Sequence, residues 1–327
     1  MRVVWVDAVE TNPDLNRLQD LALDLLDVQV DCVVALGGGS AIDAAKVFAL
    51  ALSPTARHYT LRELLSAVVD LPLGVSIPLY ALPTTAGTGS ELTPYATVWD
   101  HAERRKLSLA GPAVYPHTAF VDSELSDTVS YSSTLNTGLD AINQAAESIW
   151  NHNITPMSEM LAHRALKLGM KALPRLLDDL GNSSLRDIMA EASLLAGMAI
   201  SQTRTSICHS ISYPLTAHFG VPHGLACAFT MPAVLRRHLD VDDGRFKRLA
   251  KVLLSNEPLK LDTLAQHFDV LNQRLNVAEQ VRKMVGSLEA VIALREEMNT
   301  PGRVDNSLIQ IDEHMLVKII YESFEAK

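Results

Sequence analysis

CVVALGGGSAIDAAKVFALA, residues Cys32 to Ala51, is the stretch on which the fold turns. Its first five residues form a short β-branched and apolar run, which predicts a strand. Gly37, Gly38, Gly39 and Ser40 follow at once, and Ala41 to Ala51 then has the texture of a helix. Strand, glycine turn and helix in immediate succession make one unit of a parallel α/β sheet. Glycines without a Cβ let backbone N–H groups approach an anion, and the amides and dipole of a helix N-terminus favour negative charge there. The spacing is neither the G-x-G-x-x-G fingerprint nor the Walker loop. The pattern therefore allows two readings, an anion site or a tight strand-to-helix corner.

Working outward, Val3 to Val6 reads as a strand and Leu15 to Leu26 as a helix. Downstream, Ser76 to Leu82, Ala96 to Trp99 and Ala119 to Val121 read as further strands, predicting a mainly parallel sheet up to about residue 125. From Thr134 onward the apolar residues recur at helical period, as in Met160 to Leu180, Leu185 to Ser201 and Ala278 to Met298. Gly220, Pro222 and Gly224 puncture this region, and Thr300, Pro301 and Gly302 precede a last helix running to Lys327. No internal repeat is seen. With 327 residues and roughly 150 per domain, two domains are expected. The predicted class is α/β followed by all-α, with a sheet domain over 1–128 and a helical domain over 129–327.

Composition narrows the functions. The chain has 28 Lys plus Arg against 38 Asp plus Glu, and a net charge of -10 offers no footprint for nucleic acid. The most apolar run, Leu71 to Leu82, is interrupted by Gly74, Ser76 and Pro78, so no membrane span is predicted. Met1 to Asp7 has no secretory pattern. Cys32, Cys208 and Cys227 have no C-x-x-C spacing and read as reduced thiols, which together predicts a cytoplasmic protein.

A second loop, Pro83 to Glu91 (PTTAGTGSE), follows the strand ending near Leu82. Its hydroxyls and small residues suit a pyrophosphate, though they would also suit a capped surface loop. Two such loops at the carboxyl ends of parallel strands mark the crevice where open α/β sheets bind ligands, and together they favour a dinucleotide.

In the helical half, Asp140 and Gln144 lie four apart on one helix face, with Glu147 near the same stripe. His209 and His223 flank Tyr213, His218 and the Gly220 to Gly224 turn. One carboxylate and two imidazoles suffice for a divalent cation with an open position, while the plain alternative is a solvated helix face and structural histidines. Cys208 reads as packing. The remaining histidines, among them His58, His101, His117, His152 and His163, are assigned no role.

These motifs resemble the iron-containing alcohol dehydrogenase family, related in fold to dehydroquinate synthase. The likeness rests on Gly37-Gly38-Gly39-Ser40 with Asp43 and Lys46; on Pro83 to Glu91; on Asp140-Ala141 with Glu147; and on His209 followed by Pro222-His223-Gly224. It implies a Rossmann-like nucleotide-binding domain, a helical metal domain and NAD or NADP in the cleft between them. By resemblance, Gly38, Gly39, Ser40 and Asp43 hold the pyrophosphate region, with Thr84, Thr85, Gly87 and Thr88 alongside and Lys106 at the ribose. The metal ligands map onto Asp140, Gln144, His209 and His223. The implied chemistry is Lewis-acid-assisted hydride transfer between a nicotinamide and an alcohol or aldehyde. A homodimer is also implied.

The chain departs from the family pattern at three places. The family's first strands, and the acidic residue there that helps distinguish NAD from NADP, have no counterpart, leaving both cofactors open. Gln144 stands where most relatives have histidine; Fe2+ and Zn2+ are the leading metals, and ligand type does not separate iron, zinc and manganese. Tyr213 stands where many carry a second histidine near the nicotinamide. Arg204, Thr205 and Ser206, read as about one helical turn before His209, place a cation suited to an anionic substrate. Gln144, Arg204, His209 and Ser212-Tyr213 together resemble the branch that reduces phosphonoacetaldehyde. Tyr213 and Arg204 are thus the candidate catalytic residues, and a small aldehyde or alcohol, an anionic one included, is the candidate substrate. The alternatives are a dehydroquinate synthase-like or glycerol dehydrogenase-like enzyme, or a degenerate non-catalytic nucleotide-binding homologue.

Overall fold

The structure, a computed structural model, describes residues 2–66, 75–103, 105–241, 243–254 and 261–326. The start of the apolar run at 71–82, and Lys327 at the expected end of the last helix, lie outside these residues. The chain divides into two compact units, Met1–Thr85 with Gly89–Leu125 and Ala86–Thr88 with Ser126–Lys327.

The first unit contains α1 (Leu15–Asp24), β1 (Val33–Gly37), α2 (Gly39–Ala51), α3 (Leu61–Leu65), β2 (Leu79–Pro83), β3 (Tyr95–Asp100), β4 (Arg105–Ala110) and β5 (Thr118–Ala119). β1 and β2 pair in parallel from Val33↔Leu79 to Gly37↔Pro83, and β5 joins the far side of β2. The register brings the two polar loops out at the same end of the sheet. α2 is apolar nearly all round because it has two partners. Ile42, Ala45 and Ala49 pack on Ala35, Leu79 and Ala81 of the sheet, while Ala44, Val47, Phe48 and Leu50 pack among Leu15, Leu18, Leu61 and Val98.

Three expectations for this unit are corrected. Val3 to Val6 is not a strand: it has no ladder partner among the described strands, and Val3, Val4 and Trp5 are exposed. The strand at Ala96 to Trp99 does not join the parallel sheet; as β3 it pairs antiparallel with β4, a hairpin partner that begins five residues after β3 ends and needs no crossover. The strand expected at Ala119 to Val121 stops at Ala119, and Val121 is exposed.

The second unit is helical: α4 (Tyr131–Ile149), α5 (Pro156–Asp178), α6 (Ser183–Thr203), α7 (Ile207–Phe219), α8 (His223–Leu239), α9 (Arg245–Leu253), α10 (Leu261–Arg274), α11 (Val277–Val285), α12 (Leu288–Ile292) and α13 (Glu313–Glu325). Side-chain caps set the starts. Ser130, Thr155, Asn182 and Asp312 each accept a first-turn N–H of the helix that follows, and Pro156 fills the first position of α5. α4 runs through the core, with Leu135, Leu139, Ile142, Ala145 and Ile149 packed among α5, α6 and α8. The helix expected across Ala278 to Met298 is broken: Gly286 takes φ +82°, ending α11, and Ser287 caps α12. Among the described residues, no helix is long and apolar enough to cross a membrane.

Candidate metal centre and cofactor loops

α4 carries Asp140, Gln144 and Glu147 into the interior of the second unit, where all three are buried. Helical spacing stacks Asp140 and Gln144, and the Gln144 amide Nε2 donates to Asp140 Oδ2 at 3.0 Å and to the Thr88 carbonyl at 3.2 Å. One turn on, Glu147 serves as the N-terminal cap that α7 lacks. Its carboxylate accepts the N–H groups of Ser206 at 2.8 Å, Cys208 at 2.5 Å and His209 at 3.3 Å. It also lies 2.6 Å from His209 Nδ1. A carboxylate only accepts, so His209 carries its proton on Nδ1 and presents the Nε2 lone pair to Asp140 Oδ1, 3.3 Å away.

His223 opens α8, one residue after Pro222. Ser212 has a single hydroxyl proton, which it donates to the His209 carbonyl at 2.7 Å, so at 3.1 Å it accepts from His223 Nδ1. His223 therefore also offers Nε2, which lies 3.9 Å from Asp140 Oδ1. Gly224 makes this approach of α8 to α4 possible: a Cβ there would stand 1.9 Å from the Asn136 carbonyl oxygen and 3.0 Å from the Asp140 nitrogen. One turn further, Cys227 Sγ is 3.9 Å from His223 Nε2. Ligand atoms of Asp140, His209, His223 and Cys227 all lie within 4.8 Å of one another. Among the described residues, no other such group of His, Cys, Asp or Glu comes together in this way.

The residues fit a divalent cation. Asp140 Oδ1 is buried without a hydrogen-bond partner, and the Nε2 atoms of both histidines converge on it. A cation between them would engage all three atoms at once. Ligand bonds of about 2.0–2.3 Å in a tetrahedron require ligand atoms about 3.3–3.7 Å apart, close to what is seen. The His223 side chain is 32% exposed, leaving that flank open to a small molecule.

Without a cation, the charges of the cluster favour protons on the histidines, which a bound metal would displace. Burial would raise Glu147 and Asp140, yet the histidines and hydrogen bonds hold both carboxyls below the usual range. Burial would lower His209 and His223, yet Cys227 and the carboxylates raise both, His209 strongly. Cys227 is opposed by burial but drawn down to about 7 by the two histidines. Cys208, in contrast, is pushed well up by burial and by Glu147, as suits a packing residue.

The Tyr213 ring stacks on His223 with centroids 6.1 Å apart, and its hydroxyl accepts from Arg303 Nε at 3.2 Å. The reading of Arg204 as one helical turn before His209 is corrected. α6 ends at Thr203, Arg204 takes φ +64° and α7 begins at Ile207, so no continuous helix joins them. The Arg204 side chain runs instead beside Gly302, where a Cβ would lie 3.9 Å from its Nη1, and the Gly302 carbonyl accepts from Arg303 Nη1 at 3.0 Å. Two guanidinium groups thus flank Gly302, and sequence reading singled out only one of them.

In the first unit, Gly38 precedes the first turn of α2 with no side-chain cap, and Gly39 and Ser40 open the helix. Gly38 faces Thr85 across the two strand ends, where a Cβ would lie 3.2 Å from the Thr85 hydroxyl, and Thr84 N donates to the Gly37 carbonyl. Ser40 Oγ accepts the Asn12 N–H at 3.2 Å. The Asp43 carboxylate turns to Ser90 Oγ and to Thr97 N, the latter at 2.8 Å. Buried Lys46 donates to the Thr93 and Tyr95 carbonyls, so this pair braces α2 against residues 90–97. Burial raises Asp43 and pushes Lys46 down to about 8. Lys106 sits on β4 opposite Trp99, within electrostatic reach of Asp43. Gly87 and Thr88 belong to the second unit, packed on Thr137 and bonded to Gln144 respectively.

Residues 1–123 match the iron-containing alcohol dehydrogenase family, and residues 134–299 match the C-terminal region of the Fe-containing alcohol dehydrogenase family. A phosphonoacetaldehyde reductase of Streptomyces viridochromogenes is 39% identical over 72% of this chain and 59% of its own length. The probable alcohol dehydrogenase EutG of Escherichia coli K12 is 37% identical over 68% of this chain and 55% of its own. The match spans less than two thirds of the length of either relative. The crystal structure of sulfoacetaldehyde reductase from Bifidobacterium kashiwanohense, in complex with NAD+, aligns with TM-score 0.86 and 29% identity over 98% of this chain and 83% of that one.

Proposed function

Since the chain belongs to the iron-containing alcohol dehydrogenase family, we propose that it reduces a small aldehyde to the alcohol with NADH or NADPH and a divalent cation. We further propose that the aldehyde carries an anionic group, with phosphonoacetaldehyde the first candidate. The observation that carries this reading is the convergence of Asp140 Oδ1, His209 Nε2 and His223 Nε2, three atoms of metal-ligand type around one point. Bound there, a cation would supply Lewis-acid polarisation of the carbonyl oxygen, and a reduced nicotinamide would supply the hydride.

The chain's own residues have defined tasks in this reading. Glu147 and Ser212 hold protons on the two Nδ1 atoms and so keep both Nε2 atoms available. Tyr213 Oη, which accepts from Arg303, would donate its proton to the substrate oxygen as charge develops there. Arg303 and Arg204, on either side of Gly302, would hold the substrate's anionic end. The cofactor would lie on Gly38, Gly39, Ser40, Thr84 and Thr85, with Asp43, Gly87, Thr88 and Lys106 contributing. The phosphonate and sulfonate aldehydes named for two of the relatives support the anionic assignment. The same proposal takes the enzyme as a cytoplasmic homodimer; the exposed Val34 and Leu36 on edge strand β1 support association there.

The test is a set of aldehydes assayed with NADH and NADPH. Phosphonoacetaldehyde should be turned over with higher kcat/KM than propanal, and Arg303→Ala or Arg204→Ala should raise KM for phosphonoacetaldehyde about tenfold or more while barely changing it for propanal. Equal effects on both would remove the anionic assignment. No consumption of NAD(P)H with any aldehyde would remove the reaction class.

A further inference from the structure

Gln144 lies beside the cation ligands, but its amide is oriented by other contacts. Nε2 faces two acceptors, Asp140 Oδ2 and the Thr88 carbonyl, and turning the amide over would set its oxygen against both. Gln144 thereby holds Asp140 so that Oδ1 stays free for the cluster, while its own Oε1 is buried without a partner. A sulfur atom enters the cluster from the other side. Cys227 stands one turn after His223 on α8, is fully buried, and places Sγ 3.9 Å from His223 Nε2 and within 4.8 Å of the ligand atoms of Asp140 and His209. Asp140, itself only 4% exposed, aims its unpartnered oxygen into the same space.

We propose that Cys227 is a metal ligand, joining Asp140, His209 and His223 in a site of one oxygen, two nitrogens and one sulfur, with Gln144 Nε2 positioning Asp140. The inference rests on the cation reading above and deepens it. Binding exchanges the thiol proton for the metal–sulfur bond and releases that proton to solvent. The exposed flank of His223 would leave the aldehyde oxygen a path of approach to the site. A thiolate softens the site, favouring Zn2+ and Co2+ over Mn2+ and Mg2+.

The experiment uses the full chain loaded with Zn2+ or Co2+ alone, without substrate or nicotinamide. X-ray absorption of the Zn2+ protein should show one sulfur neighbour at about 2.3 Å. The Co2+ protein should show a near-ultraviolet thiolate-to-cobalt charge-transfer band, kept in Gln144→Ala and lost in Cys227→Ser, which should also bind Co2+ at least about tenfold more weakly. Bound metal with only oxygen and nitrogen neighbours overturns the proposal while leaving a metal-dependent reductase intact. A wild-type protein that retains neither metal overturns both this proposal and the cation reading, and consumption of NAD(P)H then decides separately whether the reaction class stands.

Discussion

Glu147 grips His209 at side chain and backbone together: one carboxylate oxygen lies 2.6 Å from the imidazole Nδ1 and the other accepts the His209 N–H at 3.3 Å, with both residues buried. The same carboxylate caps the first turn of α7, so a single side chain both starts the helix and sets the tautomer of the ligand it carries.

Glu147→Gln should therefore cost metal affinity before it costs the fold. The amide oxygen can still accept from Nδ1, but the amide nitrogen then faces the backbone N–H groups of Cys208 and His209, and the negative charge that raises His209 is gone. Zn2+ affinity, measured by competition with a chelator, should fall about tenfold to a hundredfold. Unchanged affinity would show that Glu147 serves the helix alone.

Gly224→Ala should be far worse than Gly220→Ala. A Cβ at Gly224 meets the Asn136 carbonyl, which is helix backbone and cannot turn aside, so α8 must lift from α4 and carry His223 away from Asp140. A loss of about 1–3 kcal/mol or more in urea unfolding is expected, together with loss of bound metal. At Gly220, φ is +67° and space is open, so the expected cost is about 1 kcal/mol with metal binding intact. Equal metal retention in the two variants would contradict the packing argument.

His238 makes stability depend on pH. Its Nδ1–H donates to the Val234 carbonyl at 2.8 Å and its Nε2 accepts from Ser307 at 2.7 Å, so it is buried neutral. Burial, only partly opposed by Val234 and Glu147, pushes it down to about 4 from an ordinary 6.5. Between those values the unfolded chain binds a proton that the folded chain does not. Stability should then fall as pH drops from about 6.5 to about 4, by a few kcal/mol from this group. Chemical unfolding of wild type and His238→Gln at pH 7 and pH 5 checks it: the variant should lose less stability on acidification, and parallel losses would refute the assignment.

Tyr213→Phe separates proton donation from packing. The ring and its stacking on His223 survive, whereas the hydroxyl that accepts from Arg303 does not. If the phenol delivers the proton, kcat for aldehyde reduction should fall about a hundredfold or more with little change in melting temperature. A variant of full activity would leave Tyr213 as a packing residue.

Much of the site was legible because its signals are local. Asp140 with Gln144 and Glu147 follows helical spacing on one strip of α4, and the glycine corner at Gly37 to Ser40 announces both strand and helix within a few residues. Cys227 had a local signal too, standing four after His223 on one helix face, but a lone thiol at that spacing is ordinary packing until other ligands arrive from elsewhere. Arg303 had none, since 90 residues separate it from Tyr213.

Residue order alone determined the strand, glycine corner and helix over 32–51, the helical character of the second unit, and which side chains of a helix share a face, because dihedral preference and periodicity act over one or two turns. Only the folded chain decided that β3 answers β4 and not the parallel sheet, that Gln144 spends its amide on Asp140 and Thr88, and that a thiol from α8 meets a carboxylate from α4. Those outcomes depend on how close two backbones can come, as at Gly224 beside Asn136, and a linear pattern carries no term for that distance.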